Sequence, residues 1–332
     1  MSIIKEQYII KGERVTTMKI DLHLHLDGSL RPDTVWELAK EQGISLPAST
    51  KEELVSFLRV PKDCGNLTEY LERFELPLLV LQRPEALERA DFELVEDLAG
   101  QGIDYAEIRF APQLSVNDGL TQEEVVEAVI RGLNSGLENY PSIKAGLILC
   151  FMRGADNHKA NEETLEAARC YKDKGVLAVD LAGAEALFKT ADYEKIFKKA
   201  REAGMPFTIH AGEADGPESV RKALEFGARR LGHGVRAIED KELIDRIICG
   251  NITMEVCPIS NLHTKLAADV YSHPIRRLFD MGVRVTVNTD NMTVSNTSLE
   301  REYAFLKKYY GFSDSEIEQM NQYAREAAFM KF

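Results

Sequence analysis

Short runs of apolar and β-branched residues recur along the chain at "MKIDLHL" (18–24), "IDYAEIRF" (103–110), "AGLILCFM" (145–152), "VLAVDLA" (176–182), "PFTIH" (206–210), "RRLGH" (229–233), "ITMEVC" (252–257) and "VRVTVNT" (283–289). Each has the length and composition of a strand. Between them lie helix-length segments with apolar residues three and four apart, such as "TQEEVVEAVIRGLNSGLENY", "ETLEAARCYKDKG", "PESVRKALEFG" and "DKELIDRIICG". Several end in glycine just before the next strand, a common helix stop. Eight βα units with mostly continuous apolar strands predict a closed parallel (β/α)8 TIM barrel of the α/β class rather than an open sheet.

The rhythm breaks once. Residues 31–102, between the first and second strands, carry several helices where one is expected, and "NLTEYLERFELPLLVLQ" places Tyr70, Leu71 and Phe74 on one side of its amphipathic start. Such a stripe is compatible with ordinary core packing, or with extra helices forming a lid over the barrel mouth, where this architecture builds its sites. The lid is the reading carried forward. No linker, low-complexity tract or repeat divides the chain, so residues 1–332 are taken as one domain with a helical insertion at 31–102.

Composition narrows the partners. The 332 residues are 44% hydrophobic, enough for a sizeable core, and the formal charge of −13 argues against a nucleic-acid surface, which needs clustered Lys and Arg. A small-molecule partner fits better. The five cysteines form no CxxC pair, and several sit in apolar runs such as "LILCF" and "MEVCP", as expected of buried thiols in a reducing compartment. The opening "MSIIKEQYIIKGERVTT" reads as neither a secretory nor a transit signal, and no apolar stretch approaches the ~20 residues of a membrane span. The expectation is a cytoplasmic protein with no membrane partner, and nothing in the chain specifies an oligomeric state.

Polar residues at the strand ends carry the candidate chemistry. In "KIDLHLHLDGSLRP", His23 and His25 share one face of an extended chain, opposite Leu22, Leu24 and Leu26. Alone, the pair suits a half-buried strand as well as it suits a cation. His210 ends the fifth strand, His233 the sixth and Asp290 follows the eighth, so four of the chain's seven histidines fall at the rim where catalysis is expected. Three imidazoles and a carboxylate make a reasonable zinc shell with a position left for water. Glu213, three residues beyond His210, is by itself an ordinary turn acid. Beside a metal-ligand candidate it reads instead as a proton carrier, because metal-assisted addition needs a group to protonate the atom that gains electron density. His158, His263 and His273 are read as surface or packing residues, with His263 a lesser candidate for substrate contact.

The segments "KIDLHLHLDGSLRP", "DYAEIRFAPQL", "AVDLAGAE", "TIHAGE", "RLGHGV", "EVCPISN" and "VNTDN" resemble, in order and spacing, adenosine deaminases of the amidohydrolase superfamily over about residues 17–330. HxH alone is weak, whereas the ordered set is highly specific. The resemblance implies that His23, His25, His210 and Asp290 bind one zinc per chain and that Glu213 hands a proton to purine N1. It implies that His233 orients or deprotonates the attacking water, that the Gly183 N–H meets purine N3, and that Asp27 accepts the ribose 5′-hydroxyl. Taken alone, Asp27 is as well explained as a turn-capping acid and Gly183 as a strand-end turn glycine.

One departure stands out: where the family often has a second acid, meeting purine N7, this chain has Asn291, and Met292 replaces a following proline. An asparagine amide donates to N7 without needing to be protonated, unlike an aspartate. The implied function is hydrolytic deamination of adenosine and 2′-deoxyadenosine. Adenine or a modified adenine nucleoside is the alternative substrate, although Asp27 disfavours a base with no hydroxyl. A non-catalytic metal-binding barrel acting as a binding or growth-factor protein is the alternative of another class, disfavoured by Glu213 and His233 both being present.

Overall fold

The computed structural model describes residues 18–331. The reading of residues 1–17 as free of a targeting signal lies outside the described residues, as do both ends of the 1–332 domain. Eight strands follow one another: β1 (Ile20–His25), β2 (Tyr105–Phe110), β3 (Lys144–Met152), β4 (Val176–Ala182), β5 (His210–Ala211), β6 (Arg230–His233), β7 (Thr253–Val256) and β8 (Arg284–Val287). Their ladders run parallel in two groups, β1 to β4 and β5 to β8. Two seams close the cylinder. Between β4 and β5 the Val179 N–H donates to the Pro206 carbonyl at 3.0 Å and the Thr208 N–H to the Val179 carbonyl at 3.1 Å. Between β8 and β1 the Asp290 N–H donates to the His23 carbonyl at 2.8 Å and the His25 N–H to the Asp290 carbonyl at 2.7 Å.

All eight predicted strands are present, most of them trimmed at one or both ends, whereas β3 starts one residue earlier than predicted and β4 keeps its predicted bounds. The fifth shrinks most, to two residues, because Pro206 has no N–H for a ladder and the chain meets β4 through a single bridge at Phe207. The predicted helices lie at Gln122–Asn139, His158–Cys170, Pro217–Phe226 and Lys241–Cys249. Thr121 and Glu124 form a reciprocal capping box at the first of these, and Asp240 caps the last. Between β1 and β2 the chain builds helices at Pro32–Gln42, Lys51–Leu58, Leu67–Leu71, Glu75–Val80 and Pro84–Gly100.

The strands alternate. Ala106, Ile108, Leu147, Leu149, Val179, Leu181, Met254 and Val256 face outward into the core beneath the helices. Their neighbours fill the barrel interior, and there the reading of mostly apolar strands needs correction: Asp21, Glu107, Arg109, Asp180, Glu255, Thr208, Thr286 and Asn288 are fully buried. Arg109 bonds Asp180 at 2.7 Å, Glu255 at 2.9 Å and the Leu22 carbonyl at 2.6 Å; Arg230 bonds Glu255 and Glu107, both at 2.6 Å. Each of these five charges ends on an opposite one, which makes its burial tolerable, while Asp21 accepts instead from Thr289 Oγ1 at 2.6 Å and the His23 N–H at 3.1 Å. Of the cysteines, Cys64, Cys150 and Cys257 are buried as expected, whereas Cys170 and Cys249 are exposed; all are free thiols. Among the described residues no helix is long and apolar enough to cross a membrane.

Candidate active site

Strand ends at the upper rim bring His23, His25, His210 and Asp290 to one point, with one ligating atom from each within 4.8 Å of the others. His25 Nε2 lies 3.3 Å from His210 Nε2, and Asp290 Oδ1 is 3.5 Å from both His23 Nε2 and His25 Nε2. These separations match the edge of a tetrahedron whose centre holds a cation at about 2.0–2.1 Å from each donor, an edge of ~3.3 Å. His23 Nε2 is buried with no hydrogen-bond partner, while its Nδ1 lies 2.8 Å from Glu255 Oε2. A proton on Nδ1 aimed at that carboxylate leaves the Nε2 lone pair directed at the shared point. His210 Nδ1 sits 2.8 Å from Asp180 Oδ2, in an ion-pair contact whose angle is not that of a hydrogen bond.

The two supporting carboxylates stay charged. Burial alone raises Asp180, but His210 and Arg109 outweigh it; burial raises Glu255, but Arg230 and Arg109 outweigh that too, and both end well below the usual carboxylate range. The orphaned Nε2, the spacing and the set of three imidazoles with one carboxylate together fit a divalent cation. Ser260 Oγ donates to Asp290 Oδ2. Asp290 and His233 both hold left-handed backbone, at φ 60° and 59°, a conformation that non-glycine residues adopt at a cost and that recurs at functional sites. A second trio, His233, Cys257 and Asp290, is close enough to hold a metal but reuses Asp290. Burial keeps its Cys257 thiol protonated, with Sγ donating to the Glu255 carbonyl at 3.5 Å.

Glu213 stands beside this cluster, its Oε2 3.5 Å from His233 Nε2. Burial, reinforced by Asp290 and Glu185, pushes its carboxyl well above the usual range, so it is placed to carry a proton near neutral pH. Its loop is held by Glu185, whose carboxylate accepts from the backbone N–H groups of Gly212 (2.7 Å), Glu213 (2.9 Å), Ala214 (2.6 Å) and Asp215 (3.0 Å). Gly212 takes φ 74°, and a Cβ there would lie 2.5 Å from Val220, so the turn that presents Glu213 requires glycine.

A cavity of about 230 Å³ opens onto these groups and is also lined by Asp27, Gly183, Asn291, Tyr70, Leu71 and Phe74, so every sequence-predicted site residue but the fully enclosed His23 borders the same space. Gly183 takes φ 104° where it lines the cavity. Asp27, 8% exposed, accepts from the Gly28 N–H at 3.1 Å, and burial raises it to about 6. Asn291 is 2% exposed with its Oδ1 unpaired. Tyr70 donates to or accepts from Ser295 Oγ at 2.7 Å, and the Val60 N–H bonds the Val294 carbonyl at 2.9 Å, tying the helices of 31–102 to the loop after β8. His263 does not line the cavity; its Nδ1 is 3.4 Å from that same Ser295 Oγ.

Sequence reasoning missed the residues behind the ligands: Asp180, Glu255, Glu185, Ser260 and Asn261. A signal existed for some. Asp180 and Glu185 sit inside "AVDLAGAE", and Glu255, Ser260 and Asn261 inside "EVCPISN", segments that carried the resemblance without being assigned roles.

Residues 18–332 match the sequence profile of the family described as adenosine deaminase. An adenosine deaminase of Haemophilus ducreyi is 51% identical over 314 residues, covering 94% of this chain and 91% of that protein. Among solved structures, an adenine deaminase of Arthrobacter aurescens superposes with a TM-score of 0.85 at 25% identity, covering 94% of each chain. The apo N6-methyl-AMP deaminase of Arabidopsis thaliana superposes at 0.82 and 28% identity, covering 95% of this chain and 93% of that one.

Proposed function

The chain belongs to the adenosine deaminase family, and from that premise we propose that it hydrolyses adenosine and 2′-deoxyadenosine to inosine and deoxyinosine with release of ammonia, using one zinc ion per chain. Its standing as an enzyme of this family removes the non-catalytic barrel from consideration. The observation that carries the reading is a buried carboxyl, Glu213, 3.5 Å from His233 and beside four convergent ligands at the wall of one cavity.

His23, His25, His210 and Asp290 would hold the ion; three imidazoles and one carboxylate suit zinc, which would make a bound water nucleophilic near neutral pH. Glu213 gives its proton to purine N1 as water adds at C6, so that negative charge does not build on the ring, and the carboxylate left behind takes the proton that the water sheds and passes it to the C6 amino group, which leaves as ammonia. His233, beside Glu213, orients that water. The Gly183 backbone faces N3, Asn291 faces N7, and the helices of 31–102, through Tyr70, Leu71 and Phe74, cover the mouth and exclude bulk water.

The cavity also bears on substrate class. Among the described residues its only Lys or Arg is Arg153, whose terminal nitrogens are committed to the Phe188 and His210 carbonyls and to Thr190 Oγ1, at 2.8, 2.6 and 3.0 Å. No guanidinium fork is left for a phosphate, while Asp27 offers an acceptor to a sugar hydroxyl. Both points favour a nucleoside over a nucleotide or a free base. Hydrolysis of adenine, adenosine, 2′-deoxyadenosine and AMP, read as ammonia release, and of N6-methyl-AMP, read as methylamine release, should therefore show the highest kcat/KM for the two nucleosides. A higher value for adenine or for either nucleotide rejects the substrate assignment. Elemental analysis should return one zinc; two equivalents at full activity would reject the single-ion site.

A further inference from the structure

His273, expected to be only a packing residue, is connected to the site. It is 3% exposed, and burial pushes its imidazole down to about 3, so the ring is neutral. The Ile275 backbone N–H lies 3.2 Å from His273 Nδ1. A backbone amide can only donate, so Nδ1 accepts and the ring proton resides on Nε2. That Nε2 is 3.2 Å from Asn261 Oδ1, which accepts it. The Asn261 amide is thereby oriented with Nδ2 towards His233, 2.9 Å from its Nδ1. An amide NH2 also only donates, so His233 Nδ1 carries a lone pair and, in the neutral ring, the proton sits on Nε2, the nitrogen facing Glu213. Direction passes along the chain from one backbone amide, through side chains that are all nearly or fully buried.

We propose that His273, acting through Asn261, is a positioning residue that holds His233 in its Nε2–H tautomer. His233 then meets the incoming water as a hydrogen-bond donor that orients it, and not as a base at Nε2. The inference rests on the reading that His233 works at the reacting centre. It selects between the two roles, orientation and deprotonation, that the resemblance left open. Asn261 is kept in line by its helix, its own N–H bonded to the Cys257 carbonyl at 2.9 Å, and the His273 ring lies 6.0 Å from that of Tyr310, so a ring of similar size can replace it without a void.

The parent zinc enzyme, labelled with 15N in its histidines, decides the matter by NMR, because the protonated and bare ring nitrogens of a neutral imidazole differ in shift. Nε2–H on both His233 and His273 is expected; Nδ1–H on His233 overturns the proposal. In His273→Phe, matched to the parent in zinc content, kcat for adenosine should fall about 10- to 100-fold, the scale of a lost outer hydrogen-bond partner, and KM should change by no more than about threefold. His233 should then show a mixture of tautomers. His273→Gln places an amide N–H where Nε2 was and should recover most of the lost kcat. A parent-like kcat in His273→Phe overturns the proposal, and if that variant does not fold the parent spectrum still decides. Parent-like activity in His233→Ala, which removes the donor altogether, would instead reject the placing of His233 at the reacting centre, a separate failure.

Discussion

Inside the barrel, Arg109, Arg230, Asp180, Glu107 and Glu255 bond one another at 2.6–2.9 Å, and each charge ends on an opposite one. At the rim just above, His23, His25, His210 and Asp290 turn ligating atoms towards a common point, Asp290 and His233 hold left-handed backbone, and Glu213 keeps a proton that solvent would remove. Both layers are largely buried and carry carboxylates, paired with arginines below and set among histidines above. The lower layer spends its polar groups on each other and gains rigidity; the upper layer leaves them incomplete and gains a place for ligand and substrate. Glu255 belongs to both, accepting from Arg109, Arg230 and His23, so the satisfied layer aims the unsatisfied one.

This contrast can be broken from below. Arg109→Met leaves Asp180 buried without its arginine and Glu255 with Arg230 alone, and unfolding free energy in denaturant should fall by about 3–5 kcal/mol. A loss under ~1 kcal/mol would mean that the interior charges do not support one another. From above the response should be the reverse. Glu213→Gln keeps the shape and removes the proton, so kcat should fall at least ~100-fold while zinc, purine riboside binding and the unfolding midpoint persist. Activity within a few-fold of the parent would take Glu213 out of the mechanism, and a large drop in stability would erase the distinction between the layers.

The smallest effect sharpens the comparison at one atom. Asn291 borders the cavity, and with its Oδ1 buried against Gly28 the group it has for an acceptor on a substrate is the amide NH2. If its amide donates to purine N7, 7-deazaadenosine should lose about 1–3 kcal/mol of transition-state binding with the parent enzyme. The deaza ring also alters C6, but that penalty is common to the parent and to Asn291→Ala, so comparing kcat/KM for both substrates with both enzymes cancels it. Equal discrimination by the two enzymes would show that Asn291 does not read N7.

What the sequence revealed and what it hid follow the same division. The rim was legible because a parallel barrel places each strand's last polar residue at one face, so His23, His25, His210, His233 and Asp290 could be grouped with no knowledge of distance. The interior was not. Arg109 and Glu255 each stand between apolar neighbours in a β-rich run, and nothing local says that residues 146 apart meet as an ion pair. The path from His273 through Asn261 to His233 was hidden for a related reason: it joins one helix, the start of another and a strand end through hydrogen-bond direction, which no spacing encodes. The amphipathic reading of 66–82 found the residues that line the cavity, although the chain breaks there into three short helical pieces.

The seam between β1 and β8 has a consequence for how the molecule assembles. Thr289 Oγ1 donates to Asp21 Oδ2 across a separation of 268 residues, and the His23 and His25 backbones pair with Asp290 beside it. Closing a loop of that length costs on the order of 5 kcal/mol in chain entropy before any contact repays it. The ligand set therefore comes together only when the first strand captures the last, and a chain still lacking its final strand holds three imidazoles without their carboxylate. Ion uptake during refolding should accordingly be among the latest events, trailing the recovery of helix signal and coinciding with closure of the cylinder.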